Sequence, residues 1–327
     1  MMKKWIFILS SLLAAQFILT ATVNLTDEDY EAFQAEEKVL SFDEKEVDSL
    51  RIEDGTDSVL LKKQEGKWLL PESGNFPANQ SSVEQLLGNL AIMKKGWPVA
   101  KTRSALRRFQ VDEEQFERKL VLLSGDEAQA TLYVGTSPGF RKVYIRPADG
   151  DEVLAVEFNT WDAGAKADHW IDKDVLTLDE SDVERVEMPS VTLQWEDGKP
   201  QVAILGEKEQ TNEKESRSLL GKLAKLRIQS LMGTGAKPEY QQDKSAFEVK
   251  ITRKGGEILN YRFSKSEGAS YYILKRSDLD HYFKVAEYSV NPIKKTTREQ
   301  LVQARTEEAS SELTGDKDDE KKINTRP

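Results

Sequence analysis

The stretch Leu86-Leu87-Gly88-Asn89-Leu90-Ala91-Ile92-Met93-Lys94 returns 133 positions later as Leu219-Leu220-Gly221-Lys222-Leu223-Ala224-Lys225-Leu226-Arg227. Five of the nine residues are identical and two more are conservative exchanges. Matches continue on both sides of this pair. Upstream, Ser58-Val59-Leu60-Leu61 pairs with Ser190-Val191-Thr192-Leu193, and Gly66-Lys67 with Gly198-Lys199, both displaced by 132. Downstream, Phe116-Glu117 matches Phe247-Glu248 at 131, and Tyr144 matches Tyr272 at 128. The order is kept while the offset drifts slowly, which is the signature of a duplicated module.

Each copy reads as a short meander, then one helix, then further strands. Alternating residues at 47–52 and 58–62 flank Asp54-Gly55, and a second turn at Glu65-Gly66-Lys67 leads to Trp68-Leu69-Leu70. That spacing predicts antiparallel hairpins. Pro77 and the Ser81-Ser82-Val83-Glu84 pattern of a capping box predict a helix start. Val83, Leu86, Leu87, Leu90 and Met93 then recur at helical spacing as one apolar stripe. Strands are expected at 119–123, 130–134, 142–146 and 153–156. The second copy has counterparts at 183–186, 247–251, 259–263 and 271–275, and its helix is expected to start at Asn212 with Glu215 three residues on. One helix per several short strands, with alternating rather than continuous apolar runs, predicts an α+β class with antiparallel sheets.

Residues 5–23 (WIFILSSLLAAQFILTATV) carry no charge. As a helix they cover about 28 Å, close to the roughly 30 Å hydrocarbon core of a bilayer. Lys3 and Lys4 precede them, and Asp27, Glu28, Asp29, Glu31, Glu36 and Glu37 follow, which orients the start of the chain toward the cytoplasm. A cleaved signal is the rival reading, but it uses a shorter apolar region and a small-x-small site, and Ala21 is preceded by Ile18, Leu19 and Thr20. The expected organisation is a transmembrane anchor at 1–24, an acidic linker at 25–40, one α+β module at 41–178, a second at 179–300 and a charged, disordered tail at 301–327. The bulk of the chain is then expected on the extracytoplasmic, periplasmic side of a single-pass inner-membrane protein.

Composition narrows the chemistry. With 57 acidic against 47 basic residues the net charge is -10, which lacks the basic surplus of a nucleic-acid binder. There is no Cys and there are only two His. Thiolate chemistry and most imidazole-based metal or catalytic constellations are therefore not expected. The nearest approach to a motif is Asp168-His169-Trp170-Ile171-Asp172-Lys173-Asp174, where one imidazole stands among carboxylates. It lacks a second His at helical spacing and a nucleophile, and a polar segment closing the first copy accounts for the same letters.

Gly135-Thr136-Ser137-Pro138-Gly139-Phe140-Arg141-Lys142 has the glycines of a phosphate loop. It lacks the Gly-Lys-Ser/Thr ending and is followed by a strand, so a hairpin connection is expected, with Arg141 and Lys142 available to an acidic partner. Trp68, Trp97, Trp161, Trp170 and Trp195 are candidates for stacking on sugar rings, with burial in a core or interface the commoner use of Trp. Trp68 has no counterpart after Gly198-Lys199, where Pro200 and Gln201 stand, so the two copies differ in packing or use. No catalytic, cofactor or metal residues are assigned.

Taken together, Ser41-Phe42-Asp43, Gly66-Lys67-Trp68-Leu69-Leu70-Pro71, the 86–94 helix, Leu132-Tyr133-Val134-Gly135, Val143-Tyr144-Ile145-Arg146 and Asp168-His169-Trp170-Ile171-Asp172-Lys173 resemble the DUF4340 family of bacterial envelope proteins. The likeness is clearest over about residues 40–178 and looser in the second copy. The resemblance implies a single-pass membrane protein with extracytoplasmic modules. Some members are encoded beside ABC-type transport components similar to those linked with gliding motility, so the resemblance suggests a transporter or envelope complex as partner, and it carries over no catalytic residues. A non-enzymatic accessory or scaffold protein that docks an envelope complex is therefore the leading expectation. An envelope hydrolase or glycan-binding protein using Asp168 and His169 is the alternative.

Overall fold

The computed structural model describes residues 37–139 and 141–305, together with Leu13 and Gln16. The expected membrane span at 5–23 therefore lies outside the described residues apart from those two, as do the greater part of the acidic linker and residues 306–327. Among the described residues no helix is long and apolar enough to cross a membrane.

Short alternating strands build antiparallel sheets throughout. In chain order they are β1 (Ser49–Glu53), β2 (Ser58–Gln64), β3 (Lys67–Leu70), β4 (Phe76–Pro77), β5 (Pro98–Ala100), β6 (Arg118–Ser124), β7 (Glu127–Val134), β8 (Lys142–Pro147) and β9 (Val153–Glu157). Then follow β10 (Val183–Met188), β11 (Val191–Glu196), β12 (Lys199–Val202), β13 (Glu209–Thr211), β14 (Ser230–Leu231), β15 (Phe247–Arg253), β16 (Ile258–Ser264), β17 (Tyr271–Arg276), β18 (Tyr282–Ala286) and β19 (Val302–Ala304). The helices are α1 (Gln80–Ala91), α2 (Arg103–Arg108), α3 (Ala167–Trp170), α4 (Glu213–Ala224), α5 (Glu287–Lys294) and α6 (Arg298–Leu301). The class is α+β, as the strand and helix patterns predict.

The first sheet runs β4-β3-β2-β1-β6-β7-β8-β9-β5 and the second β12-β11-β10-β15-β16-β17-β18-β14. From β3 and from β12 onward the two orders correspond strand for strand. In each, the opening strand lies inside the sheet, and the chain passes through a 12-residue helix and an edge strand before returning beside it. The tight turns correspond as well. Glu65-Gly66 and Asp197-Gly198 both have positive φ at both positions, 49° and 80° in the first pair and 50° and 76° in the second. That backbone matches the twist of a two-residue hairpin and explains the glycine at the second position.

Registers put the apolar residues of neighbouring strands opposite one another. Leu50 faces Leu61 and Leu122, Ile52 faces Val59 and Leu120, and Leu120 faces Leu132. In the second sheet Val186 faces Leu193 and Ile251, and Phe263 faces Leu274. These residues are buried, as are Val83, Leu86, Leu87 and Leu90 of α1 and Leu219, Leu220 and Leu223 of α4. A sheet face and a helix stripe of this kind bury each other because neither tolerates water.

Three local expectations need correction. α1 begins at Gln80, so Ser81 stands inside the helix and not at its cap, and Pro77 belongs to β4. The Gln80 side chain explains the start: its Nε2 donates to the Trp68 and Ala78 carbonyls at 2.9 and 2.7 Å, and its Oε1 accepts from the Trp68 amide at 2.7 Å. At its other end α1 stops at Ala91, leaving the buried Met93 beyond it. Finally, order continues past residue 300: Leu301 is buried and β19 pairs with β13. By contrast Asn212 does cap α4, its side chain accepting from the Glu215 amide at 3.3 Å.

By contacts the chain divides into two units, one of Met1–Gly66 and Ser81–Lys166, the other of Lys67–Gln80 and Ala167–Pro327. The segment 67–80 groups with the second because its backbone is bonded there. Asn79 N–H donates to the Trp170 carbonyl at 2.6 Å, Asp172 N–H donates to the Pro77 carbonyl at 2.9 Å, and Ala78 bridges Ile171. The first unit has a second small core on the other face of its sheet. There Val111, Tyr133 and Val153 are buried against Leu106, Phe109, Phe116 and Tyr144.

Candidate functional site

The Asp168–Asp174 segment is placed by its apolar members. Trp170 and Ile171 are fully buried, while Asp168 and His169, just before them in the four-residue α3, are exposed. The carboxylates downstream are committed to the chain's own path. Asp172 accepts from the Asp174 amide at 2.9 Å, Asp174 pairs with Arg227 at 2.6 Å, and the Lys173 carbonyl accepts from the Ile228 amide at 3.1 Å. His169 lies edge-on to Trp170, ring centroids 4.9 Å apart. The motif is thus a plug and a set of turn bonds, with its imidazole on the outside.

The other histidine is the one that faces a cleft. His281 is 8% exposed, and in the second unit it lines a depression of about 370 Å³ with Glu72, Ser73, Gly74, Asp168 and Thr234. Its Nε2–H donates to the Ser73 carbonyl at 2.8 Å. Phe76 meets the ring edge-on at 4.9 Å. Gly74 has φ 69°, and a Cβ there would come within 3.2 Å of Nε2, so the contact needs glycine on both counts. The structure therefore places Asp168 in the lining of one cleft with His281, and His169 outside that lining. No local pattern marks His281, which stands between the Ser277–Asp280 turn and β18; its Ser73 partner lies 208 residues away.

Deeper in the same unit, Arg276 is buried and held on all sides. Asp278 accepts from Nε and Nη2 at 2.7 and 2.9 Å, the Leu176 and Val175 carbonyls accept at 3.1 and 3.3 Å, and Tyr261 Oη lies 3.3 Å from Nη1. Burial pushes the Tyr261 hydroxyl above its ordinary value, with the guanidinium pulling the other way. This cluster fixes the 175–176 connection to the sheet, with Asp278 at its partly exposed end.

The 135–142 stretch is a hairpin connection between β7 and β8. Lys142 N–H donates to the Gly139 carbonyl at 3.1 Å, and the Ser137 hydroxyl lies 2.6 Å from the Lys142 carbonyl. Gly135 has no room for a Cβ, which would collide with the Phe109 carbonyl. Of the five tryptophans singled out by sequence, Trp68 and Trp170 are core, Trp195 is half-buried, and Trp97 and Trp161 are 64% and 81% exposed. Among the described residues, no group of three or more His, Asp or Glu is placed to hold a metal ion.

Comparison with known proteins adds the lineage. No curated protein and no solved structure matches the chain. A family profile described as a domain of unknown function, DUF4340, matches residues 68–245, from β3 to the turn before β15. The match leaves out 40–67 and reaches well into the second sheet, so the shared pattern is less centred on the first copy than the residue likenesses imply. Over more than half its length the sequence follows that profile, and the chain belongs to the DUF4340 family.

Proposed function

We propose that the chain is a non-enzymatic scaffold of two duplicated α+β modules, tethered by residues 5–23 and standing on the extracytoplasmic side of the cytoplasmic membrane. Its partner is a membrane or envelope complex of the ABC-transport type. The observation that carries this reading is the shared strand order of the two sheets, together with the shared 12-residue helix and the shared turn geometry at Gly66 and Gly198. A repeated layer of this kind multiplies surfaces, which suits a docking role. Affinity capture of the full chain from detergent extract, after cross-linking in intact cells, is expected to recover integral transport subunits in constant ratio. Recovery of the chain alone, with its leader retained, would count against the reading.

A second reading, an envelope hydrolase or glycan-binding protein, draws on the cleft shared by Asp168, Glu72 and His281. It expects His281→Ala to abolish function at unchanged stability, and His169→Ala to do nothing. Equal phenotypes for the two variants would dismiss it.

A further inference from the structure

Among the described residues the first sheet ends on β5, a three-residue strand with β9 as its one neighbour in the strand order. Just before it, residues 37–39 run antiparallel to 93–95. Val39 N–H donates to the Met93 carbonyl and Lys95 N–H to the Glu37 carbonyl, both at 2.8 Å, around the bridge of Lys38 to Lys94. The Lys95 and Glu37 side chains, opposite one another in that pairing, meet at 2.5 Å. A register is thereby fixed: each step back from Glu37 faces one step forward from Lys95.

Backbone groups alternate sides along an extended run, so those of Trp97 and Val99 turn the same way as those of Met93 and Lys95. β9 takes the other side, pairing at Pro98 and Ala100. Gly96 lets the run lie against β9, since a Cβ there would come within 2.5 Å of the Ala155 carbonyl oxygen. The N–H that Pro98 lacks belongs to the β9 side, so this proline does not blunt the outer edge as an edge proline usually does. Trp97 and Val99 are 64% and 44% exposed. An edge of this kind recruits a further strand unless it is covered.

We infer that residues 33–36, which lie outside the described residues, add to this edge as a further antiparallel strand. The register carried back from Glu37 sets Glu36 opposite Gly96, Ala35 opposite Trp97, Gln34 opposite Pro98 and Phe33 opposite Val99. An aromatic then meets a β-branched residue, and a small residue leaves room for the indole of Trp97. The bulge between Pro98 and Ala100 ends the run. Farther back, Asp27, Glu28, Asp29 and Glu31 come toward Lys101 and Arg103, of which Lys101 also pairs with Glu152. Covalent continuity through Glu37 holds the segment at an effective concentration on the order of millimolar, an advantage that no strand of a second copy or a partner shares. The added strand does not depend on the anchor proposed above. With that anchor, it leaves residues 24–32, at most about 32 Å when extended, between the apolar leader and the sheet.

The sequence has no cysteine, so a pair can be introduced cleanly into the full chain in detergent micelles. Gln34→Cys with Pro98→Cys falls in a non-hydrogen-bonded pair, where facing Cα atoms lie about 4.5 Å apart and a disulfide can form. Copper-phenanthroline oxidation is expected to close this pair within one chain at least about tenfold faster than Phe33→Cys with Pro98→Cys, whose side chains point to opposite faces. Equal rates, or no bond in either variant, overturn the inference. A bond between chains assigns the edge to a second copy and overturns it too. Because a cysteine variant can disturb the edge, amide exchange on the unaltered chain is the second measurement. The amides of Phe33 and Ala35 are expected to exchange about 100-fold more slowly than in an unstructured chain, and free-chain rates there overturn the inference.

Discussion

On the outer face of the first sheet, Tyr133 is packed with Val111 and Val153 under α2 and the 109–117 hairpin. On the corresponding face of the second, residues 238–244 form two short 3-10 turns that close by hydrogen bonds. Ser264 Oγ donates to the Tyr240 carbonyl, and Gln242 Nε2 donates to Ser264 Oγ at 2.7 Å and to the Ile273 carbonyl at 3.1 Å. One cover is held by apolar packing alone, the other by the buried Tyr240 ring together with these side-chain hydrogen bonds, on sheets of the same strand order. The buried arginines differ in parallel. Arg276 has Asp278 as its counter-ion, whereas Arg146 is held by the Val111, Pro147 and Gly150 carbonyls and the Tyr133 ring at 4.6 Å, with no carboxylate in ion-pair range among the described residues. The lesson is that strand order is set by the repeated inner-face pattern, while the outer face is free to diverge in chemistry.

That contrast can be broken at several points. The largest effect is expected for Tyr133→Ala, which empties the apolar cover and costs about 3–5 kcal/mol, read from urea unfolding and from loss of hydrogen-exchange protection confined to the first unit. Arg276→Met comes next at about 2 kcal/mol, because it strands Asp278 and two buried carbonyls, with the roughly one-third exposure of Asp278 tempering the loss. Arg146→Met is expected to cost about 1 kcal/mol, since no counter-ion is left behind. An Arg146 variant more damaging than the Arg276 variant would show that the carbonyl cage is the stronger hold. Gln242→Leu is expected to be smaller again, below about 1 kcal/mol, because its Oε1 is already buried without a partner among the described residues.

The mildest effect concerns acid. Glu209 is held at about 2 by its hydrogen bonds to Arg298, helped by the Gly206 amide. A carboxyl depressed in the folded state stabilises above its unfolded value and loses that contribution as pH falls from about 4.5 toward 2. The β13–β19 pairing is therefore expected to loosen over that window, seen as faster amide exchange at 302–304, and Glu209→Gln is expected to remove the pH dependence.

Inner-face strands were legible because alternation and register are local signals: 118–124, 247–253 and 271–276 fall where the sequence places them. α4 was equally plain through Asn212 and Glu215. What escaped was held by distant partners. The edge strands β5 and β14 are only 3 and 2 residues long, and α2 owes its place to Phe109 on Tyr144. α5 carries Pro292 within it, which reads as a breaker. The site followed the same rule: Asp168 and His169 drew attention as neighbours, whereas His281 reached its cleft through Ser73 and Gly74, which no spacing pattern connects to it.

The proposed anchor and docking role require both sheets to stand outside the cytoplasmic membrane. Single cysteines at Ser104 and Ser270, both exposed and in different units, can be treated with a membrane-impermeant maleimide on intact spheroplasts. Labelling of both positions without permeabilisation is the expected result, and labelling of either only after lysis would contradict it.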